Sequence, residues 1–199
     1  MKELIILLIL FILPILLIYL NIIPKEYYLI VLGIVVIFAI ALTIYQHIPL
    51  KDLGIRADNL KQTFLPHLVF TLVVLVILLI LVKYNGASVI KNWQTDRHFQ
   101  YMFLIISFAQ AFVFLSFLMP RLNSLTNSLL LSLIINALIF TAIHFVYADF
   151  YHEAGILFLV GFGFAAVYAY YPNLLWAGIS HAVLNFVTVL FGFLSNIRS

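Results

Sequence analysis

The sequence from Thr126 to Leu194 reads TNSLLLSLIINALIFTAIHFVYADFYHEAGILFLVGFGFAAVYAYYPNLLWAGISHAVLNFVTVLFGFL. It contains three apolar stretches, Thr126–Ala148, Ala154–Tyr171 and Asn173–Leu194, separated by very short polar breaks. Each stretch has about the 20 residues that an α-helix needs to cross the hydrocarbon core of a bilayer. Because backbone amides in that core must be satisfied within the segment, the stretches are predicted to be helices that run antiparallel to their neighbours.

Four more apolar runs precede this stretch, at Leu4–Ile23, Tyr27–Tyr45, Pro66–Val82 and Gln100–Met119. The first run exceeds the roughly 7–15 apolar residues of a signal peptide and lacks a small-residue cleavage site, which predicts a retained span. Pro14 is expected to kink it, because proline removes one helical hydrogen bond. The sequence therefore predicts an all-α, polytopic membrane bundle of about seven transmembrane helices, within a range of about six to eight.

Composition supports this class of protein. Hydrophobic residues make up 66% of the 199 residues, charged residues only 9%, and the mean hydropathy is +1.21. A soluble domain of this length would need more polar surface. No basic run is present, so nucleic acid is not an expected partner. The absence of cysteine excludes disulfides and thiolate chemistry.

The chain is predicted to form a single membrane domain over residues 1–199. Two N-terminal helices occupy residues 1–49, an interfacial segment residues 50–65, and the core residues 66–199. The segment 50–65 mixes charged with apolar residues, which predicts a loop and a short amphipathic helix at the membrane surface, ended by Pro66. Five lysines and arginines fall on each side of a seven-span arrangement, so the positive-inside rule does not select an orientation.

Polar residues inside the apolar runs form three stripes at helical spacing. The stripes are Ser132, Asn136, Phe140 and His144 in the fifth run; His181, Asn185 and Thr188 in the seventh; and Ser107 and Gln110 in the fourth. We expect them to converge on an interior cavity. Ionisable residues in spans are candidates for functional sites, which favours this interpretation for His144 and His181. For Ser107, Ser132 and Asn136, hydrogen bonding between helices is the favoured interpretation.

The sixth run carries small residues at four-residue spacing, Gly161, Ala165 and Ala169. Small residues allow another helix to approach closely, so this face is predicted to be a packing surface.

The motifs Phe140-x-x-x-His144 and His181-x-x-x-Asn185 resemble the second and third motifs of the CPBP membrane family, also called Abi. This family includes type II CAAX prenyl endopeptidases and bacteriocin-processing or self-immunity proteins. Leu53-Gly54-Ile55-Arg56 is similar to the region ahead of the family's core. The resemblance extends from about Leu50 to Leu190, and it implies a CPBP-like core of membrane helices in a bacterial cytoplasmic membrane.

The family's first motif is degenerate here. The resemblance implies Glu-Glu-x-x-x-Arg, then glycine, then Pro-Arg-Leu. At these positions the sequence has Gln110, Ala111, Leu115 and Ser116, followed by Pro120-Arg121-Leu122. In active members a glutamate and the first histidine would activate water, and the second histidine and the asparagine would stabilise the oxyanion. A glutamine cannot accept the proton, and losing a general base typically lowers the rate by about 10²–10⁴.

Two carboxylates near the fifth run, Asp149 and Glu153, are candidate substitutes for the missing glutamates. With His144, His152 and His181 they could instead form a zinc site, since imidazole and carboxylate are suitable ligands. No HExxH signature supports this, and a simple solvated connection is the third interpretation. From the predicted boundaries, His144 and His181 would differ in depth by more than about 10 Å, unless residues 147–153 dip into the bundle.

The sequence favours a CPBP-like membrane protein that is catalytically impaired and that binds or regulates a membrane partner or a hydrophobic peptide. The alternative is an active intramembrane endopeptidase. In it His144 would be the base, Gln110 would position water, and His181 and Asn185 would contact the oxyanion. A transporter is a weaker hypothesis, because the two halves show no inverted repeat.

Overall fold

A computed structural model describes residues 2–95, 98–148 and 150–193. Within these ranges the chain is helical, without extended strands, which confirms the predicted all-α class. Its seven main helices are α1 Lys2–Tyr19, α2 Tyr28–Tyr45, α3 Leu60–Tyr84, α4 Phe103–Thr126, α5 Leu129–Ala142, α6 Phe150–Tyr170 and α7 Leu174–Leu190. A 3-10 turn, Lys25–Tyr27, leads into α2, and another, Ile143–Val146, extends α5. Six of these helical segments are long and apolar enough to cross a membrane, and α7 is a shorter apolar helix of 17 residues.

The prediction that a short amphipathic helix ends at Pro66 is wrong. Residues 46–59 form turns, and α3 begins at Leu60 and continues through Pro66 without interruption. The proline falls in the second turn of a 25-residue helix, where it removes a single backbone hydrogen bond. Membrane helices tolerate such a loss. The apolar residues that suggested a surface helix therefore belong to the first turns of α3 and to a loop packed on the bundle.

The other boundaries differ by a few residues from those read from hydropathy. The first helix ends at Tyr19 rather than Ile23, the fourth extends to Thr126, and the sixth begins at Phe150 rather than Ala154. The seventh ends at Leu190, and the predicted end at Leu194 lies outside the described residues. Hydropathy marks the apolar part of a helix, whereas its first and last turns are often polar.

Two helices contain π-helical turns, Leu8–Ile12 in α1 and Phe112–Leu118 in α4. Each π segment ends two residues before a proline, Pro14 and Pro120 respectively. Proline cannot supply its N–H to the preceding turn, and a π turn is one way to accommodate the break. The irregularity expected at Pro14 is therefore present as a π turn, and α4 has a second one that was not predicted.

A buried arginine joins three helices at the end of the bundle where α1 begins. The Arg121 guanidinium lies over the Phe117 ring at 3.7 Å and donates to the Phe117 carbonyl at 3.0 Å. It also donates to Gln46 just after α2, and its Nε lies 3.3 Å from a Glu3 carboxylate oxygen. Glu3 lies in the first turn of α1, just ahead of the predicted first run, so this helix brings a carboxylate to the arginine.

The loop between α2 and α3 is anchored to the same end of the bundle. The Leu53 carbonyl accepts hydrogen bonds from Ser116 Oγ at 2.8 Å and Tyr168 Oη at 2.7 Å. The next residue, Gly54, accepts from the Leu174 backbone N–H at 2.9 Å. The Ser116 hydroxyl therefore fixes the loop to α4.

Candidate functional site

The polar stripe of α5 faces the interior of the bundle. Ser132, Asn136, Phe140 and His144 are all buried. Ser132 donates to the Ser128 carbonyl, and Asn136 Nδ2 donates to the Phe114 carbonyl at 2.7 Å. The Phe114 carbonyl belongs to the π segment of α4 and also accepts from the Met119 backbone N–H. Asn136 therefore joins α5 to α4, as the interhelical interpretation predicts.

His144 lies in the 3-10 turn that extends α5, and a backbone hydrogen bond determines its tautomer. Its Nδ1 is 2.6 Å from the Phe140 carbonyl oxygen. Because a carbonyl can only accept, Nδ1 must carry the hydrogen in this contact. In the neutral ring the lone pair is then on Nε2. His144 thus presents an acceptor nitrogen to its surroundings.

His181 lies in the third turn of α7 and meets His144 through Phe140. The Phe140 ring centroid is 4.7 Å from that of His144 and 5.8 Å from that of His181. Both histidines line the same cavity, so the stripes of α5 and α7 converge. The Phe140 ring contacts both histidines and so joins the two stripes. The segment expected to dip inward is already helical from Phe150. His181 Nε2 is buried and has no hydrogen-bond partner among the described residues.

A chain of hydrogen bonds connects α7 to the stripe of α4. The Ser107 hydroxyl donates to the Phe103 carbonyl at 2.6 Å, so its oxygen must act as acceptor toward Asn185 Nδ2 at 3.0 Å. The same Asn185 nitrogen is 3.4 Å from Gln110 Oε1. The Ser107 geometry therefore fixes the orientation of the Asn185 amide. Its two N–H groups point toward α4.

A cavity beside these residues, here called the main cavity, has a volume of about 350 Å³. Its walls are apolar side chains of α3, α6 and α7. The polar side chains along it are Asn85, His144, His152, Glu153, His181, Asn185 and Thr188. From Phe164 at its inner end to His152 it follows α6 for about 18 Å, at 1.5 Å per residue. Gln110 faces neighbouring spaces rather than this one.

The candidate substitute carboxylates are only partly accounted for. Glu153 and His152 lie in the first turn of α6, where His152 is exposed and Glu153 is half-buried. Both line the outer part of the main cavity. Asp149 lies outside the described residues.

The zinc alternative finds no support in the described part of the chain. There, no three His, Asp or Glu side chains come together in a group that could hold a metal ion. The proposed set His144, His152 and His181 shares a cavity but does not form such a group.

Two tyrosines close the side of the site next to the N-terminal helices. Tyr147 Oη donates to Tyr28 Oη at 3.3 Å, and the Tyr147 ring lies 6.0 Å from the His144 ring. Burial raises the pKa of the Tyr147 hydroxyl well above its ordinary value, so this group stays protonated and acts as a donor.

Glycine on α6 makes room for the phenylalanine between the two histidines. Gly161 and Ala165 are buried, as the predicted packing face requires. A Cβ on Gly161 would lie 2.7 Å from Phe140 Cδ1 and 3.2 Å from Cγ, too close for the ring to remain in place. The small residue therefore positions Phe140 and, through it, both histidines.

Gly161→Ala is expected to lower the free energy of unfolding by about 2 kcal/mol, because it overpacks the core against Phe140. Gly155 on the same helix is the matched control, since nothing lies within 4 Å of a Cβ there. Gly155→Ala should raise stability by about 0.5 kcal/mol through its helix propensity. Unfolding in mixed detergent micelles, followed by circular dichroism, measures both. Equal effects of the two substitutions would contradict the close contact.

The fold and the site define an integral membrane protein in which buried histidines and amides face an apolar cavity. Residues 97–187 match the family model described as Type II CAAX prenyl endopeptidase Rce1-like, which confirms the CPBP resemblance. The match includes the site residues of α4, α5 and α7, whereas α1, α2 and α3 lie outside it. No curated protein and no solved structure matches the chain.

Proposed function

We propose that this chain is a non-catalytic CPBP-like membrane protein that binds a hydrophobic peptide or lipid in the main cavity. The observation that carries the proposal is the orientation of Asn185. Both of its side-chain N–H groups are directed at acceptors on α4, Ser107 Oγ and Gln110 Oε1. An oxyanion would need those donors.

Oxyanion stabilisation depends on donors already aimed at the position where negative charge develops. Turning the Asn185 amide toward the cavity would break its hydrogen bond with Ser107, whose own hydrogen is held by the Phe103 carbonyl. With Asn185 held toward α4, His181 is the only one of the two expected oxyanion contacts that remains. The interlocked amide and hydroxyl groups favour a structural role for Asn185.

The carboxylate base expected from the family resemblance is absent as well. By the family resemblance, Gln110 occupies the position of the first glutamate. Its Oε1 accepts a hydrogen bond from Asn185, and a glutamine amide cannot take a proton from water. One feature favours the second candidate function, an active endopeptidase: the neutral His144 ring has its lone pair on Nε2, the atom that a histidine base would use. A base without oxyanion donors gives only part of the catalytic effect.

The main cavity suits a binding function. Its volume of about 350 Å³ falls within the range of small-molecule sites, roughly 300–1,000 Å³, and its walls are mostly apolar with a few polar groups. It extends from the buried histidines to Asn85 at the end of α3. A membrane-embedded ligand would bury its apolar part along the walls.

The test combines cleavage and binding. With a farnesylated CAAX peptide as substrate, the purified protein is expected to release no product above the buffer background, and His144→Ala and Asn185→Ala should leave that background unchanged. Binding of a photoreactive N-methyl alkanamide should weaken by at least about tenfold in Val160→Phe, which fills the main cavity.

Leu159→Phe is the control for binding, because Leu159 lies next to Val160 on α6 but is 64% exposed on the outer surface. An active type II CAAX endopeptidase is the positive control for cleavage. Product formation that is abolished by His144→Ala would refute the non-catalytic assignment. Ligand binding that Val160→Phe leaves unchanged would refute the assignment of the cavity.

A further inference from the structure

A second cavity, here called the small cavity, lies on the other side of His144. It has a volume of about 70 Å³ and is enclosed by α1, α2, α4 and the end of α5. Its walls are apolar apart from Gln110, His144 and two tyrosine rings. Two of its four walls, α1 and α2, belong to the part of the chain outside the family match.

The small cavity adjoins the main cavity through shared residues. His144 lines both of them. Gln110 lines the small cavity and also a narrow gap of about 10 Å³, whose other lining residues include His181, Phe140 and Phe164. Those three residues in turn line the main cavity. The three spaces therefore adjoin one another through shared residues, among them His144, Gln110 and His181.

The π-helical segments within α1 and α4 both border the small cavity. Leu10 and Phe11 of the α1 segment form one wall, and Val113 and Phe114 of the α4 segment form another. A π turn widens a helix locally and recurs at functional sites. The two irregular segments, on two different helices, thus face each other across this one space.

The polar groups between the cavities indicate what they would recognise. His144 presents the acceptor Nε2, and the Gln110 side-chain nitrogen is a donor, because its Oε1 accepts from Asn185. Among the described residues that line the small cavity and the gap, none is Lys, Arg, Asp or Glu. Burying a charge there would be costly. A neutral group with both an acceptor and a donor, such as a secondary carboxamide, fits this pair.

We propose that the small cavity is a terminal subsite for a single-chain amphiphile whose uncharged carboxamide lies beside His144 and Gln110. The long apolar arm lies in the main cavity, and a short apolar arm on the amide nitrogen enters the small cavity. This inference rests on the proposed function, since it assigns a ligand class to the same site. It also gives the N-terminal helix pair a role in ligand selection.

The probes are N-methyl and N-butyl alkanamides that share one long acyl chain. Their binding to the full chain in bilayers is measured by displacement of the photoreactive amide, with concentrations expressed per lipid. The wild-type protein is expected to bind both within about threefold of each other. Val35→Phe, which fills the small cavity from α2, should bind the N-methyl compound like wild type and the N-butyl compound at least about tenfold more weakly.

Ile15→Phe fills the same cavity from α1 and provides an independent second variant. Ile34→Phe is the matched control on α2, because Ile34 is 48% exposed on the outer surface. Exclusion of the N-butyl compound from wild type would overturn the subsite, as would equal effects of both fillers on the two compounds. Failure of Val160→Phe to weaken N-methyl binding would overturn the proposed function itself.

Discussion

Gly54→Ala is expected to lower the free energy of unfolding by about 4 kcal/mol, the largest effect of any single substitution considered for this chain. Gly54 has φ +69°, in the left-handed region, where a side chain costs about 1–2 kcal/mol. A Cβ at this position would also lie 2.3 Å from the Tyr168 hydroxyl oxygen and 3.2 Å from the Leu174 backbone nitrogen. Neither neighbour can move without losing a hydrogen bond.

The second contribution comes from the hydrogen bonds that surround the glycine. Tyr168 Oη donates to the Leu53 carbonyl at 2.7 Å and lies 2.7 Å from Ser116 Oγ, in a fully buried group. Displacing the tyrosine leaves buried polar atoms without partners, at about 1–3 kcal/mol. The Gly54 carbonyl also accepts from the Leu174 N–H, so the start of α7 would be disturbed as well.

Gly86→Ala separates the backbone contribution from the steric one. Gly86 has φ +63°, but nothing lies within 4 Å of a Cβ built there. It should therefore lose only about 1 kcal/mol. Unfolding by denaturing detergent in mixed micelles, followed by circular dichroism, compares the two variants. If Gly54→Ala were no more destabilising than Gly86→Ala, the loop would not be anchored through Tyr168.

The bundle itself could be predicted from the sequence because each span satisfies its own backbone and is recognised by length and hydropathy alone. Helical spacing was also enough to place Phe140 and His144 on one buried face. The meeting of this face with His181 was expected from the stripes. The sequence identifies Phe140 as a motif residue, but it does not predict that its ring lies between the two histidines.

Contacts between residues far apart in the chain could not be predicted from the sequence. Arg121 pairs with Glu3, 118 positions earlier, and Leu53 is bonded by Tyr168, 115 positions later. Glu3 lies outside the predicted first run, and Leu53 lies in the segment predicted as a loop and an interfacial helix. Gly54, Ser116 and Tyr168 lie far apart in the sequence and share no helical or strand spacing. Hydropathy therefore does not predict that this loop is anchored to the bundle.

The degenerate first motif illustrates the same limit at the site. The sequence shows that Gln110 cannot act as a base, but it does not show what its amide does instead. In the structure, Gln110 Oε1 accepts from Asn185, a residue expected to contact an oxyanion. Gln110 and Asn185 are therefore joined by a hydrogen bond that the spacing of the motifs does not indicate.

Asn173→Ala is expected to lower the free energy of unfolding by about 3 kcal/mol, the second-largest effect. Asn173 precedes α7 and is completely buried. Its Oδ1 accepts from the Trp176 backbone N–H at 3.3 Å, which caps the helix. Its Nδ2 donates to the Arg56 carbonyl at 3.0 Å and to Asn59 Oδ1 at 2.8 Å. One side chain thus caps α7 and ties the α2–α3 loop to it.

Two further variants divide this effect into its parts. Ser128→Ala removes the cap of α5, where the serine hydroxyl accepts from the Leu131 N–H and no such loop is attached, so it should lose about 1 kcal/mol. Asn173→Ser keeps a capping oxygen but removes both donors to the loop, and it should fall between the two. If Asn173→Ser were as stable as wild type, the cap alone would account for the asparagine. The loop would then be held by Tyr168 and Ser116 without it.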